Sequence, residues 1–270
     1  MNEHDFAALE NAEFAANIDL YRAAPEAVRV AHAIDVRLIG ATTCLTSRGI
    51  EPAAMFRRAV GLGIGRATTE VELDQVLVHM NGPGLRYAVP VAPQSQPSTL
   101  ASWLEARGFT RGYAWMKFCR PCAGAPQAET DLEIRVIGPE LGAAFGGVVA
   151  EGFGLPPSLA PWVAAVVGRP HWVCVMAFAA TSPVAAGAVY VNGEHAWLGF
   201  GATLASHRRH GAQSALLARR LSEAAAKGAR MAVTETGERL PDKPSNSYRN
   251  ILRAGFEEMY LRQNYMSPSR

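Results

Sequence analysis

Between positions 208 and 213 the chain reads Arg208-Arg209-His210-Gly211-Ala212-Gln213, with His207 just before and an amphipathic stretch just after. A glycine lets the backbone turn tightly there. The unpaired N–H groups of the helix's first turn would then converge on one point, with the positive end of its dipole behind them. Such a point holds an anion, and the flanking cations suit it to a pyrophosphate. No Gly-Lys-Ser/Thr follows, so the segment is not a P-loop. The competing reading is an ordinary helix start with exposed arginines. Gly61, Gly63 and Gly65 would form a dinucleotide fingerprint only with glycine at position 66, where Arg66 stands. Cys119, Cys122, His171 and Cys174 are the remaining candidate ligands. One CxxC pair without a second close pair is a weak zinc signal. His171 and Cys174 lie three apart on a predicted strand and face opposite ways, so no metal site is expected.

The chain around these residues is that of a packed protein. Of its 270 residues 49% are hydrophobic and 19% charged, which excludes intrinsic disorder. Lys and Arg number 26 against 24 Asp and Glu, without a basic block, so no nucleic-acid partner is expected. Met1 to Glu13 carries Glu3, Asp5, Glu10 and Glu13 and has no apolar core, so it does not read as a signal peptide. Trp172 to Val191 is uncharged and long enough to span a membrane, but Thr181-Ser182-Pro183 interrupts it. Two buried strands joined by a turn account for it, and no membrane partner is expected. Four cysteines do not make a disulfide scaffold, which points to a reduced, cytoplasmic protein.

Residues 120–130 (RPCAGAPQAET) are small and Pro/Gly-rich and form the best linker, dividing the chain into domains 1–122 and 131–270. The halves are related. With Leu104 to Phe118 set above Ile251 to Tyr265 without gaps, Gly108 falls on Gly255, Phe109 on Phe256, Tyr113 on Tyr260 and Phe118 on Tyr265. Each copy reads helix (Thr68 to Met80; Gly211 to Lys227), strand (Arg86 to Val91; Met231 to Glu235), helix, Gly-Phe, strand, the order expected of a duplication. The second half also predicts a strand at Leu132 to Ile137 and a helix at Pro139 to Gly152. A second helix is predicted at Ser158 to Val167, capped by Ser158. Strands at His171 to Phe178, Val184 to Val191 and His195 to Thr203 follow, the last two joined by an Asn192-Gly193 turn. On the helix from Gly211 the pattern puts Leu217, Leu221 and Ala224 inward, with Arg220 and a Glu223–Lys227 pair outward.

Strand, Arg208-x-x-Gly211, helix, strand, then a helix closed by Gly255-Phe256: this order resembles the GCN5-related N-acetyltransferase (GNAT) superfamily. The resemblance is good over about Leu132 to Tyr265 and weak over about Val36 to Phe118. It implies an α/β fold of two GNAT-like mixed domains, each a central, largely antiparallel twisted sheet flanked by helices, the N-terminal copy being degenerate. It also implies acetyl-coenzyme A as cosubstrate. The pyrophosphate would lie on Arg208, Arg209, His210, Gly211, Ala212, Gln213 and Ser214, Gln213 standing where the family has Gly or Ala. The pantetheine arm would enter between the splayed strands beside Thr203 and Leu204, and near Asn246 and Ser247; Pro244 occupies the family's usual Asn position. The family's usual acid, a Tyr four residues before the Gly of Gly-Phe, is Ile251 here; Tyr248, on the same helix face, is the nearest substitute. A base must take a proton from the ammonium acceptor. Glu235 is the first choice, and Glu151 and Glu194 are weaker ones.

The leading reading is an acyl-coenzyme A-dependent N-acyltransferase that passes acetyl to an amine by direct attack in a ternary complex, as the resemblance implies. The loop Gly152 to Pro157 would line the acceptor site. The acceptor itself is not specified, and a homodimer is compatible with the sequence. A non-catalytic acyl-coenzyme A sensor is the second reading, and a pseudoenzyme without cofactor the third. In the first half the segment from Ile64 to Glu70 has no Arg-x-x-Gly, so that copy should pack against the working half and shape its acceptor site.

Overall fold

The computed structural model describes residues 3–50, 53–82, 85–242 and 245–268. The first half runs α1 (Glu3–Arg22), α2 (Glu26–Ala31), β1 (Asp35–Ile39), β2 (Thr42–Thr46), α3 (Ala53–Phe56) and β3 (Arg58–Val60). It continues through α4 (Glu70–Met80), β4 (Ala88–Val91), α5 (Leu100–Ala106) and β5 (Thr110–Pro121). The second half runs β6 (Glu133–Val136), α6 (Gly142–Phe153), α7 (Ala160–Ala164), β7 (Trp172–Ala179), β8 (Ser182–Asn192) and β9 (His195–Thr203). It closes with α8 (Ala212–Ala226), β10 (Met231–Gly237), α9 (Asn246–Arg253) and β11 (Glu257–Met266).

The repeated order is present in both halves, and the Gly-Phe step does the same work in each. Gly108 and Gly255 follow α5 and α9 at φ +82° and +80°. They turn the chain so that Phe109 and Phe256 enter the core ahead of β5 and β11. α4 begins where the Thr69 side chain accepts the Glu72 N–H at 3.2 Å. The uncharged run at 172–191 forms β7 and β8, paired in antiparallel fashion. No described helix is long and apolar enough to cross a membrane.

Two local expectations are corrected. Ser158 makes no capping hydrogen bond; residues 157–159 form a short 3-10 turn, and α7 starts after Leu159. On α8, Arg220 is buried rather than outward, and Glu223 pairs with Arg219 at 2.7 Å rather than with Lys227. Position 220 lies three residues from Leu217 and four from Leu216, so helical geometry puts it on their face whatever its charge.

The eleven strands among the described residues join one sheet in the order β1-β2-β3-β4-β11-β5-β10-β9-β8-β7-β6. Chain order would pair β4 with β5 and β10 with β11. Instead β11 enters between β4 and β5, and β5 lies between β11 and β10, all antiparallel. Each half therefore lends its last strand to the other: Phe118 of β5 packs with the second half's α8 and α9, and Tyr265 of β11 with the first half's α4 and α5. α1 also crosses over, lying with α6 and α7 on one face of β7–β10 while α8 and α9 cover the opposite face. The Trp162 indole N–H donates to Leu20 O at 2.8 Å, and Asp19 accepts from both Arg169 and Trp172.

Candidate functional site

Parallel strands β9 and β10 pair only from Met231↔His195 to Val233↔Trp197 and then part. A cavity of about 850 Å³ opens at that fork. At one end stands the loop before α8. Gly211 caps the helix in the left-handed region at φ +74°. Its position is fixed from outside, because a Cβ there would lie 2.3 Å from Glu129 O, and the Thr130 hydroxyl donates to His210 O at 2.7 Å. The linker thus holds the loop in shape. Arg208, Arg209, Gly211, Ala212, Gln213 and Ser214 all line the cavity, as do Thr203, Asn246 and Ser247; Leu204 and His210 do not. Gln213 folds its side chain back on the end of β9, donating to Ala202 O at 2.9 Å and Thr203 Oγ1 at 2.8 Å. The first N–H groups of α8 have no partner within the helix, and they adjoin two exposed arginines.

The middle of the cavity is β9 itself. Its pairing with β8 slips between Ala186 and Ala188, and Phe200 takes the left-handed region at φ +56°. A non-glycine residue held there stores backbone strain, a feature that concentrates at working sites. The bulge is locked by the Phe200 ring, 5.8 Å from Trp172 and 5.9 Å from Trp197. It brings the backbone of 199–202 into the cavity wall, where N–H groups can meet negative charge.

The far end holds the carboxylate that sequence singled out. Glu235 accepts the Trp197 indole N–H at 3.0 Å and the Lys117 ammonium, its cross-strand neighbour, at 3.0 Å. Burial raises its pKa, and the nearby charge of Glu13 adds to that against the pull of Lys117. Behind it lies a buried ionic network. Glu13 binds Lys117 at 2.6 Å and Arg262 at 2.6 Å, Glu10 binds Arg262 at 2.7 Å, and Arg58 donates to Asn17 at 2.8 Å. Burial alone would raise Glu13, but Arg262, Lys117 and Arg58 outweigh it and hold the carboxyl well below the usual range. Sequence reasoning missed Glu13, Asn17, Arg58, Lys117 and Arg262. The available signal was Glu10, Glu13 and Asn17 at helical spacing on a stretch otherwise rich in Ala and Phe.

Tyr248 lies outside the cavity lining. Its ring stands edge-on to Phe118 at 4.9 Å, under Arg239, and burial followed by the Glu258 carboxylate pushes its hydroxyl up to about 12. Ile251 does line the cavity. Glu151 is exposed outside it, and Glu194 pairs with Arg230 at 3.3 Å. Pro244 lies outside the described residues. Of the loop 152–157, Gly152, Phe153 and Leu155 line the cavity. In the first half the segment ahead of α4 is tied to residue 96: Gln96 N donates to Gly63 O at 2.8 Å, and Thr68 N donates to Gln96 O at 3.0 Å. Among the described residues no cluster of three His, Cys, Asp or Glu could hold a metal.

No protein-family model matches the sequence, and no curated protein matches it. Solved structures do match. A GCN5-related N-acetyltransferase from Kribbella flavida superposes with a TM-score of 0.62 at 18% identity, covering 98% of this chain and 96% of that one. A tandem GNAT protein from the clavulanic acid biosynthesis pathway gives 0.60 at 17% identity, covering 87% and 80%. A GNAT-family acetyltransferase from Colwellia psychrerythraea gives 0.57 at 13% identity, covering 84% and 81%. At these identities the likeness is one of fold: a mixed α/β fold built on a large, mostly antiparallel sheet.

Proposed function

We propose that the protein is an acyl-coenzyme A-dependent N-acyltransferase, acetyl being the simplest acyl group, working by direct attack of an amine in a ternary complex. The supporting observation is a single cavity that joins an anion-binding helix start to a buried carboxylate across a strained strand bulge. The donor's thioester supplies an activated acyl carbon. Arg208, Arg209 and the first turn of α8 bind the pyrophosphate. The edge of β9 from Gly199 to Thr203 orients the arm, and its bulge N–H groups hold negative charge at the carbonyl oxygen. Glu235, whose burial raises its pKa and so strengthens it as a base, takes the proton from the incoming ammonium, while Trp197 and Lys117 fix its orientation. The tandem arrangement belongs to the same reading: two copies of one unit, the first with the segment ahead of α4 tied to Gln96.

Calorimetric titration of coenzyme A and acetyl-coenzyme A tests this. Substituting Gly211 would confuse the result, because any side chain strikes Glu129 O. Ser214→Glu is cleaner, since a carboxylate in the first turn suits the helix dipole while repelling an anion. Micromolar binding to wild type that falls at least about tenfold in Ser214→Glu, with Tm unchanged, is expected. No binding to wild type overturns the reading. Ile251 at the cavity wall favours a second one, a non-catalytic acyl-coenzyme A binder. Binding without turnover on any of a panel of amines would select it.

A further inference from the structure

Two turns along α8 from the anion loop, Arg220 is 2% exposed. Its Nε donates to Leu216 O at 3.0 Å, and Nη1 to Gly199 O at 2.9 Å and Ala188 O at 3.4 Å. These partners are all backbone carbonyls, two of them beside the β9 bulge. Among the described residues no carboxylate pairs with this guanidinium, and Nη2 donates to no protein atom. The cavity's other buried cations, Arg58 and Arg262, are answered by Glu10 and Glu13. The sheet is shaped to admit Arg220: a Cβ on Gly187 would lie 2.8 Å from Cζ, and one on Gly201 3.7 Å from Nη2. Burial without a counter-charge pulls its pKa down to about 10. A buried charge left unmatched is strongly destabilising, so an arrangement built around one calls for an anion from outside.

That anion is not the pyrophosphate. Arg220 lies six residues beyond Ser214, about 9 Å along the helix axis, against the bulge where the thioester would rest. Nor does it come with the acceptor amine, which on the proposed reading meets Glu235 at the other end of the cavity. We propose that Arg220 recognises a carboxylate at the far end of the transferred acyl group, so that the preferred donor is a coenzyme A thioester of a dicarboxylic acid. The proposal rests on the acyltransferase reading. In the reaction a C–N bond forms and the C–S bond breaks, coenzyme A leaves as its thiol, and one net proton leaves the ammonium through Glu235 to solvent. The distal carboxylate is unchanged throughout.

The test is titration of coenzyme A, acetyl-, malonyl- and succinyl-coenzyme A into wild type, Arg220→Gln and Arg220→Lys. Malonyl- or succinyl-coenzyme A should bind wild type about tenfold or more tighter than acetyl-coenzyme A, as a charge-assisted contact predicts. Arg220→Gln should erase that advantage while coenzyme A itself binds as before, and Arg220→Lys should keep part of it. Equal affinity of all three thioesters for wild type overturns the proposal and leaves Arg220 as a clamp on the bulge. An advantage that survives Arg220→Gln overturns it too. If Arg220→Gln does not fold, the wild-type ranking still decides. If coenzyme A itself fails to bind wild type, it is the acyltransferase reading that falls, and this proposal with it.

Discussion

Glu235 illustrates how one side chain takes its properties from distant neighbours. Its pKa is raised by burial and by Glu13, and the ionised form is the base. In the proposed reaction kcat/KM should therefore rise with pH through a value above the usual carboxylate range and level off beyond it. Glu235→Gln should remove that inflection and lower the rate about 10²–10⁴-fold. An unchanged pH profile in the variant would show that Glu235 is not the base. Tyr248→Phe, outside the cavity, should leave turnover within about twofold of wild type. The loop before α8 was legible in the sequence because Arg208, Arg209 and Gly211 lie side by side in the chain, although His210 between them falls outside the cavity wall. Arg220 was not, because a charged letter at an inward position reads as outward until its glycine surroundings are seen. Glu13 was not, because its partners Lys117 and Arg262 lie 104 and 249 residues away.

At the scale of elements, α1 carries the heaviest electrostatic burden. It places Glu10 and Glu13 against strands β3, β5 and β11. Glu13→Gln leaves Lys117 and Arg262 short of a buried partner. It should cost about 3–5 kcal/mol in chemical denaturation, and a loss near zero would mean the network relaxes freely. The pH dependence has a definite sign. The folded-state pKa of Glu13 is depressed, so its contribution is present above the usual value of 4.5 and disappears as pH falls below that. Asp19 behaves alike: burial would raise it, but Arg169 and Trp172 hold it down. Wild type should lose stability steeply on acidification below pH 4.5, and Glu13→Gln less so over the same range. Periodicity found the long elements and missed the exact starts of short ones: α7 opens from a 3-10 turn whose hydrogen bonds leave nothing for Ser158 to cap.

For the whole molecule, the repeated element order was legible in sequence, whereas the exchange of β5 and β11 was not. Both are aromatic-rich strands entered through Gly-Phe, so by pattern each fits either slot, and strand partners are chosen by the assembled sheet. Expressed separately, residues 1–122 and 131–270 should each fail to show cooperative unfolding, because each lacks a central strand of its own sheet. Together they should copurify as a one-to-one complex with a single transition. A fragment that melts cooperatively by itself would show that its terminal strand can return to its own half.

The position of β11 also sets an order of events during synthesis. Its residues leave the ribosome after every strand it touches, yet they fill the middle of the sheet rather than an edge. Until then β4 and β5 lack the strand that lies between them in the finished sheet, and Glu10 and Glu13 lack Arg262. Loss of residues 257–266, by early termination or proteolysis, would therefore open the molecule at its centre. The carboxylate end of the cavity, more than two hundred residues upstream in part, would come apart with it.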